Sequence, residues 1–534
     1  MSLARNTFVQ ASLTLASRIL GFARDLAANA RFGGQGPLMD AFTTALMFPN
    51  LFRRLFAEGA FAQAFVPIYA RERAERGAEA ADAAASEAMS FLMTVVAGVC
   101  ILAQIVMPLL MPFLLSAYTD KPEVLRIATL MTQLTMPYLA CMTLASLLSG
   151  VLNTSGRFAL SAGVPILLNI CTIGPLLLAP NPETAAIWVS VAVTVAGLLQ
   201  ASLLWWGARR LGVKLRFRFP AFTKTVSRVV MLAIPGALAG GATQINTLVS
   251  QVLTGSNEGA RSVLYNSDRL YQLPLGLIGV AVGLALVPRL ARLYVAKDEK
   301  GAEAAMDDAI LLSMALTVPA AIAFLIMPYF LVDATVTRGA FTHADAHRTA
   351  EVLRMFAWGV PAFVLAKVFT PPFFARQDTK RPMQFAVASV IVNTLLGAGL
   401  YFSLPRIGVD GVIGLGVATS TAGWLNVALL SSTLAREGAY RLSPAAAGRL
   451  MRLAGACAIM AGFVAACAYY YPLLQHLLWR KELAVLAAIG AAFALYGLCA
   501  LALRAVTVRD MIDALKREKG APGAGAGLPP AGEP

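Results

Sequence analysis

The sequence predicts an all-α polytopic membrane protein of about 14 transmembrane helices, built as two parallel-related six-helix lobes plus two extra C-terminal helices. Three observations carry this reading. Of 534 residues, 58% are hydrophobic and 14% charged, whereas soluble domains average about 45–50% and about 25%. The mean hydropathy is +0.68. Apolar runs recur at the length of about 20 residues that a helix needs to cross the hydrocarbon core, whereas a barrel would show short alternating segments. Lys and Arg are also unevenly distributed between successive connections.

In order, the expected spans cover 7–30, 38–69, 87–117, 123–151, 159–179, 184–208, 223–254, 262–288, 304–332, 347–373, 382–404, 409–435, 447–471 and 482–505. The first contains Arg18, Arg24 and Asp25, charges a signal-peptide core would not tolerate, so it reads as a retained helix. The second is too long for a plain crossing, and Pro49 predicts a bend there. The tail, 509–534, is rich in Gly, Ala and Pro and reads as disordered.

Fourteen spans with the amino terminus inside place 28 Lys and Arg in the inner connections and termini. Nine fall in the outer ones: Arg31, Lys121, Arg126, Arg261, Arg338, Arg348, Arg406, Arg480 and Lys481. That bias predicts both termini on the cytoplasmic side. The net charge of +15 is therefore read through topology, not as nucleic-acid binding.

An internal repeat is visible. Phe65-Val-Pro-Ile-Tyr-Ala-Arg71 resembles Leu286-Val-Pro-Arg-Leu-Ala-Arg292, and Gly-Ala-Glu-Ala-Ala follows each, at Gly77–Ala81 and Gly301–Ala305. Pro137 and Pro361, like Asn169 and Asn393, are 224 apart. An offset of six spans preserves orientation, so the copies run parallel, with their axis along the membrane normal. The expected parts are 1–217, a first lobe; 218–440, a second lobe; 441–508, two additional helices; and 509–534, the tail.

Three charged clusters interrupt the apolar spans. Ser17-Arg-Ile-Leu-Gly-Phe-Ala-Arg-Asp25 sets Arg18, Gly21 and Asp25 on one helix face, with Arg24 about 100° round from Asp25. Asp40 and Phe48-Pro-Asn-Leu-Phe-Arg-Arg-Leu-Phe-Ala-Glu-Gly-Ala-Phe61 bring Arg53, Arg54 and Glu58 into the second span. Tyr265-Asn-Ser-Asp-Arg-Leu-Tyr-Gln-Leu-Pro274 brings Asp268 and Arg269 into the eighth. An Arg at the bilayer centre costs about 2.5–3.5 kcal/mol, so these side chains are expected to face a polar cavity or a partner. Arg18, Arg24, Arg53 and Arg269 outnumber the carboxylates Asp25, Asp40 and Asp268. A cavity lined this way is positive, and planar guanidinium groups match phosphate oxygens well. Structural ion pairing is the alternative reading.

Other chemistry is weakly supported. The six cysteines lie in apolar runs without a CxxC pair and read as packing residues. His343 and His347 are four apart but lack a third ligand and read as solvated loop residues. No phosphate-binding loop or nucleophile elbow is present. No metal, no cofactor and no enzyme activity are expected.

Ser17–Asp25, Pro49–Phe61, Phe65-Val-Pro67, Leu152-Asn-Thr-Ser-Gly-Arg-Phe158 and Arg376-Gln-Asp378 together resemble the MurJ (MviN) family of bacterial lipid II flippases. The likeness runs through spans 1–12, while spans 13–14 match in placement more than in sequence. The resemblance implies the multidrug/oligosaccharidyl-lipid/polysaccharide exporter fold. It implies transport of undecaprenyl-pyrophosphate-linked disaccharide-pentapeptide, lipid II, from the cytoplasmic to the periplasmic leaflet for peptidoglycan synthesis. By motif, the family's essential charged residues correspond to Arg18, Arg24, Asp25, Asp40, Arg53 and Arg269, with the arginines holding the pyrophosphate.

The resemblance also implies that the two extra helices form a groove for the lipid tail. The sodium site of some members is not carried over, since the apolar bodies of spans 11 and 12 hold no carboxylate. The expected place is the bacterial inner membrane. The expected partners are lipid II and membrane lipids, with the cell-wall synthesis machinery as a further candidate and no nucleic acid. The alternatives are another polyprenyl-linked polysaccharide flippase or a cation-coupled exporter of the same superfamily. The second would call for an acid-rich cavity.

Overall fold

A computed structural model describes residues 3–52, 60–296, 298–376, 378–478 and 480–505. These residues form twenty α-helices and no strand. Ten helical segments among them are long and apolar enough to cross a membrane. The described residues of the expected spans over 7–30, 38–69, 223–254 and 262–288 are helical as well but fall outside those ten.

The first half comprises α1 (Leu3–Phe32), α2 (Pro37–Phe52), α3 (Ala60–Arg76), α4 (Ala78–Leu114), α5 (Pro122–Thr135), α6 (Tyr138–Thr154), α7 (Phe158–Leu178) and α8 (Pro182–Arg210). Here α1 lies on α7, α7 on α8, α8 on α6, and α2 on α5. The second half comprises α9 (Lys224–Thr254), α10 (Ala260–Val295), α11 (Glu299–Ile326), α12 (Pro328–Val336), α13 (His343–Ala357), α14 (Val360–Phe369), α15 (Pro371–Ala375), α16 (Lys380–Ser403) and α17 (Gly411–Arg436). Two long helices, α18 (Pro444–Tyr469) and α20 (Lys481–Ala502), follow with the short α19 (Tyr471–Leu478) between them.

The proline signals act differently along the chain. Pro49 lies inside α2, which runs on to Phe52, so the expected bend does not end the helix there. The stretch 53–59, with Arg53, Arg54 and Glu58, lies outside the described residues. Pro137 separates α5 from α6, and Pro361 stands in the first turn of α14. A proline supplies no N–H and clashes with the preceding turn, so both members of the 224-residue pair mark a break within a span.

Between apolar helices in lipid, packing rests on close backbone approach rather than on expulsion of water. The α6–α8 seam shows how: a Cβ on Gly197 would stand 2.6 Å from Tyr138 Cδ2 and 2.8 Å from Cys141 Cβ. The same holds at the break after α13, where a Cβ on Gly359 would meet the Ser420 backbone at 2.9 Å. The extra helices join the second half through a core that sets Met460, Val464 and Tyr496 against Met327 and Phe330. Tyr496 donates to the Ala315 carbonyl at 2.7 Å.

All six cysteines are free. His343 and His347 are not loop residues. They lie in the first turns of α13, where His343 Nδ1 stands 2.9 Å from the buried Asp333 and His347 stacks on Tyr329.

Overfilling the α6–α8 seam tests this packing. Gly197→Val is expected to destabilise the detergent-solubilised protein by about 1–3 kcal/mol. Gly98→Val, at a position with open space around it, should leave the unfolding midpoint almost unchanged.

Candidate functional site

Asp25 lies in the last third of α1 and is the meeting point of the two halves. Arg24 turns round the helix and donates to Asp25 Oδ1 from Nε at 3.1 Å and Nη2 at 2.8 Å. From α10, Arg269 Nε stands 3.2 Å from Asp25 Oδ2. Tyr265, one turn earlier on α10, donates to Asp25 Oδ1 at 3.0 Å and accepts from Arg269 Nη2 at 3.1 Å. Arg269 also lies over the Tyr265 ring, 5.0 Å from its centroid.

Two guanidinium groups thus share one carboxylate, and the cluster keeps a net positive charge. The Asp25 side chain is 8% exposed, while that of Arg269 is 39% exposed. Losing Asp25 would leave two guanidinium groups side by side without their shared counter-charge, whereas losing either arginine would leave Asp25 paired with the other.

Further toward the α1–α2 turn the halves meet again. Asn29 and Asn266 exchange hydrogen bonds at 2.7 and 2.9 Å. Asp40, in the first turn of α2, is 1% exposed. It accepts from the Gly259 and Ser262 amides at 2.9 Å each, from Ser262 Oγ at 2.5 Å and from Tyr118 Oη at 2.9 Å. These amides open α10, whose free N–H groups and dipole favour a carboxylate at that end. Burial and the neighbouring Asp40 carboxylate push the Tyr118 phenol up.

Arg261, which the sequence reading assigns to an outer connection, is instead fully buried in the first turn of α10. It donates to the Leu114 carbonyl at 2.7 Å and also reaches Thr44 Oγ1 and the Gln251 carbonyl. At the same end Arg348 bonds Gln35 at 2.8 Å and Asp410 at 2.5 Å, and Ala340 N bonds the Ala30 carbonyl at 2.8 Å. Gly339 there takes φ +57°, and a Cβ on it would collide with the Ala30 carbonyl.

These polar contacts joining the halves gather at the end that carries the α1–α2 turn. At the other end, Arg73 bonds Ser155, Arg376 bonds Glu437 and Tyr440 bonds Asp307 within the parts, and the start of the second part reaches α4, with Arg218 N on Ser90 at 2.9 Å and Thr223 Oγ1 on Glu87 at 2.8 Å. Arg18 lies about 10 Å along α1 from Asp25 in that direction, at seven residues of helical rise. It is exposed and stands within electrostatic reach of Lys367 on α14.

Of the sequence-predicted residues, the structure therefore brings Arg24, Asp25 and Arg269 into one cluster. It places Asp40 in a separate contact and Arg18 nearer the opposite end. Arg53 lies outside the described residues. Asp268, counted in the sequence as an unpaired carboxylate, accepts from Gln272 one turn on. Tyr265, Asn29, Asn266, Tyr118 and Ser262 are the partners that sequence reasoning left without roles. No cluster of three metal-ligating side chains occurs among the described residues. An apolar cavity of about 630 Å³ opens between α11, α14, α17 and α18, lined by Ile310, Leu365, Phe369, Trp424 and Leu450.

A family model for the lipid II flippase MurJ matches residues 29–480. The chain belongs to the lipid II flippase MurJ family. A protein of Rhizobium tropici described as a probable lipid II flippase MurJ is 37% identical over 98% of this chain and 99% of its own length. The lipid II flippase MurJ of Burkholderia cenocepacia is 32% identical over 88% and 90%. Among solved structures, a lipid II flippase MurJ in an inward closed conformation superposes with a TM-score of 0.73 at 21% identity, covering 95% of this chain and all of that one. An inward-facing multidrug resistance MATE family transporter of the MOP superfamily superposes at 0.61 with 14% identity, over 79% and 95%. The MurJ family comprises transporters, not enzymes.

The Asp40 contact has a measurable consequence. Asp40→Asn removes the charge and turns a donor toward one of the two amides, Gly259 on Oδ2 or Ser262 on Oδ1. Hydrogen exchange at that amide should rise about 10- to 100-fold, as expected for losing a charged hydrogen bond of about 1.5–3 kcal/mol. Cys141→Ala should leave both unchanged.

Proposed function

We propose that this protein flips lipid II, the undecaprenyl-pyrophosphate-linked peptidoglycan precursor, from the cytoplasmic to the periplasmic leaflet of the bacterial inner membrane. Family membership supports the activity. The observation that carries the chemistry is the sharing of one carboxylate, Asp25, by Arg24 and Arg269 from opposite halves. A diphosphate cannot cross hydrocarbon unaided, because stripping its water costs far more than thermal energy. Arg18, Arg24, Arg269 and Lys367 offer four positive charges against the carboxylates Asp25 and Asp268, and guanidinium groups bind phosphate oxygens in a bidentate fork.

In this reading the substrate site is Arg18, Arg24, Asp25, Asp40, Arg53 and Arg269. The diphosphate enters from the end where Arg18 is exposed and competes with Asp25 for Arg24 and Arg269. Freeing Asp25 loosens the contact between α1 and α10. The Asn29–Asn266 pair and the Asp40 cap of α10 are the next to part, and the cavity then opens at the α1–α2 end. Asp40 works as a latch, since all of its near donors come from Tyr118 and the start of α10. Rocking of one half against the other gives alternating access. The prenyl chain stays in lipid throughout.

The moving bodies are residues 1–217 and 218–440, with 441–508 offering a groove to the lipid tail and 509–534 a cytoplasmic tail. Both termini are cytoplasmic, on the strength of the Lys and Arg distribution. The cell-wall synthesis machinery is a natural partner for the product. The excess of arginine over carboxylate in the cluster weighs against an exporter of organic cations.

Complementation tests this reading. In cells depleted of their own lipid II flippase, the wild-type chain and Cys141→Ala should restore growth. Arg18→Ala and Arg269→Ala should fail, and Asp40→Asn should grow worse than Cys141→Ala. Arg269→Lys should rescue only in part, since an ammonium lacks the planar fork. Full rescue by both alanine variants would remove the arginine site.

A further inference from the structure

The connection between the halves, Leu211-Gly-Val-Lys-Leu-Arg-Phe-Arg-Phe-Pro-Ala-Phe-Thr223, is not helical. Its amides at Lys214, Arg216 and Arg218 donate to Asp82 Oδ2, Ser86 Oγ and Ser90 Oγ of α4 at 2.7, 3.0 and 2.9 Å. The match is geometric. Two residues of extended chain advance about 6.6 Å, close to the roughly 6 Å that four residues advance on a helix. One row of side chains on α4 therefore serves alternate amides of the strap. Val213 and Leu215 are buried beneath it.

The exposed side chains of the strap are unusual. Lys214 and Arg216 are exposed. Phe217, Phe219 and Phe222 are 63%, 93% and 66% exposed. Trp205 stacks on Phe217 at 6.2 Å, and Arg210 lies 3.9 Å from the Trp206 ring centroid. The stretch 209–228 holds seven Lys and Arg and no Asp or Glu. Topology requires cations here but neither alternating aromatics nor a backbone whose amides are satisfied by protein. Both features suit a segment lying at the boundary between headgroups and acyl chains, where unsatisfied amides are costly and aromatic rings are favoured.

We propose that residues 211–223 form a docking strap for anionic phospholipids of the leaflet that faces this end of the bundle. Lys214 and Arg216 bind the headgroup phosphates. Phe217, Phe219 and Phe222 insert at the acyl boundary. Arg218 is drawn toward Glu87 at 3.6 Å and plays a lesser part. The strap thereby fastens the hinge between the halves to the membrane surface.

Native mass spectrometry of the full chain, mixed with equal amounts of phosphatidylglycerol and phosphatidylcholine, tests this. Wild type should carry phosphatidylglycerol in preference. Lys214→Glu with Arg216→Glu should lower that adduct at least about 20-fold, since each surface cation contributes about fivefold. Neutral Lys214→Gln with Arg216→Gln should fall between. Arg406→Glu with Arg480→Glu, with the same charge change at the opposite end, should keep the preference. Unchanged phosphatidylglycerol binding in both strap variants, or an equal loss in the Arg406 and Arg480 variant, would overturn the proposal.

Discussion

One carboxylate held by two guanidinium groups is the constraint on which the rest of this molecule depends. Asp25 is nearly inaccessible, yet it is approached by Arg24 from its own helix and Arg269 from the other half. A one-to-one pair would neutralise the site and leave no charge to bind an anion. Two to one closes the contact between α1 and α10 while keeping the cluster positive. Tyr265 touches both Asp25 and Arg269 and fixes their separation. Closure and anion affinity are therefore properties of the same few atoms.

From Asp25 outward through Asn29, Asp40 and Arg348, a chain of polar side-chain contacts joins the halves at one end of the bundle, while at the other end the connection between them bonds α4. Each contact of that chain joins groups that would be exposed to water once the halves part. The apolar packing inside each half has no such alternative, because lipid offers it nothing better than a neighbouring helix. Movement is thus directed to the seam between the halves. Small residues such as Gly197 and Gly359 keep each half compact where larger ones would force the helices apart.

Much of the architecture was legible in the amino-acid order, because membrane helices announce themselves by length and apolarity. In the sequence the prolines at 137 and 361 serve only as a mark of the repeat, and the spans around them are expected to run unbroken, yet both halves break there. The clusters around Arg24, Asp25 and Arg269 were visible as charges too costly to face lipid. Their arrangement was not. Helical periodicity sets Arg24 about 100° from Asp25, but a long side chain spans that angle easily. Contacts such as Asp25 to Arg269 or Asp40 to Ser262 join residues more than 200 apart, and periodicity within one helix carries no information about them. Arg261 misled for a related reason: counted by its place between spans, it belongs to the buried first turn of α10. The connection 209–228 was read only for its charge, since the fit of its backbone to α4 depends on three-dimensional register.

The most direct measurement is the distance between spin labels at residues 119 and 406, exposed positions on the two halves at the α1–α2 end, in a background without the native cysteines. Wild type should give a short, narrow distribution, and Asp25→Asn should shift it to longer and broader distances. A distribution unchanged by Asp25→Asn would show that the shared carboxylate does not hold the halves together.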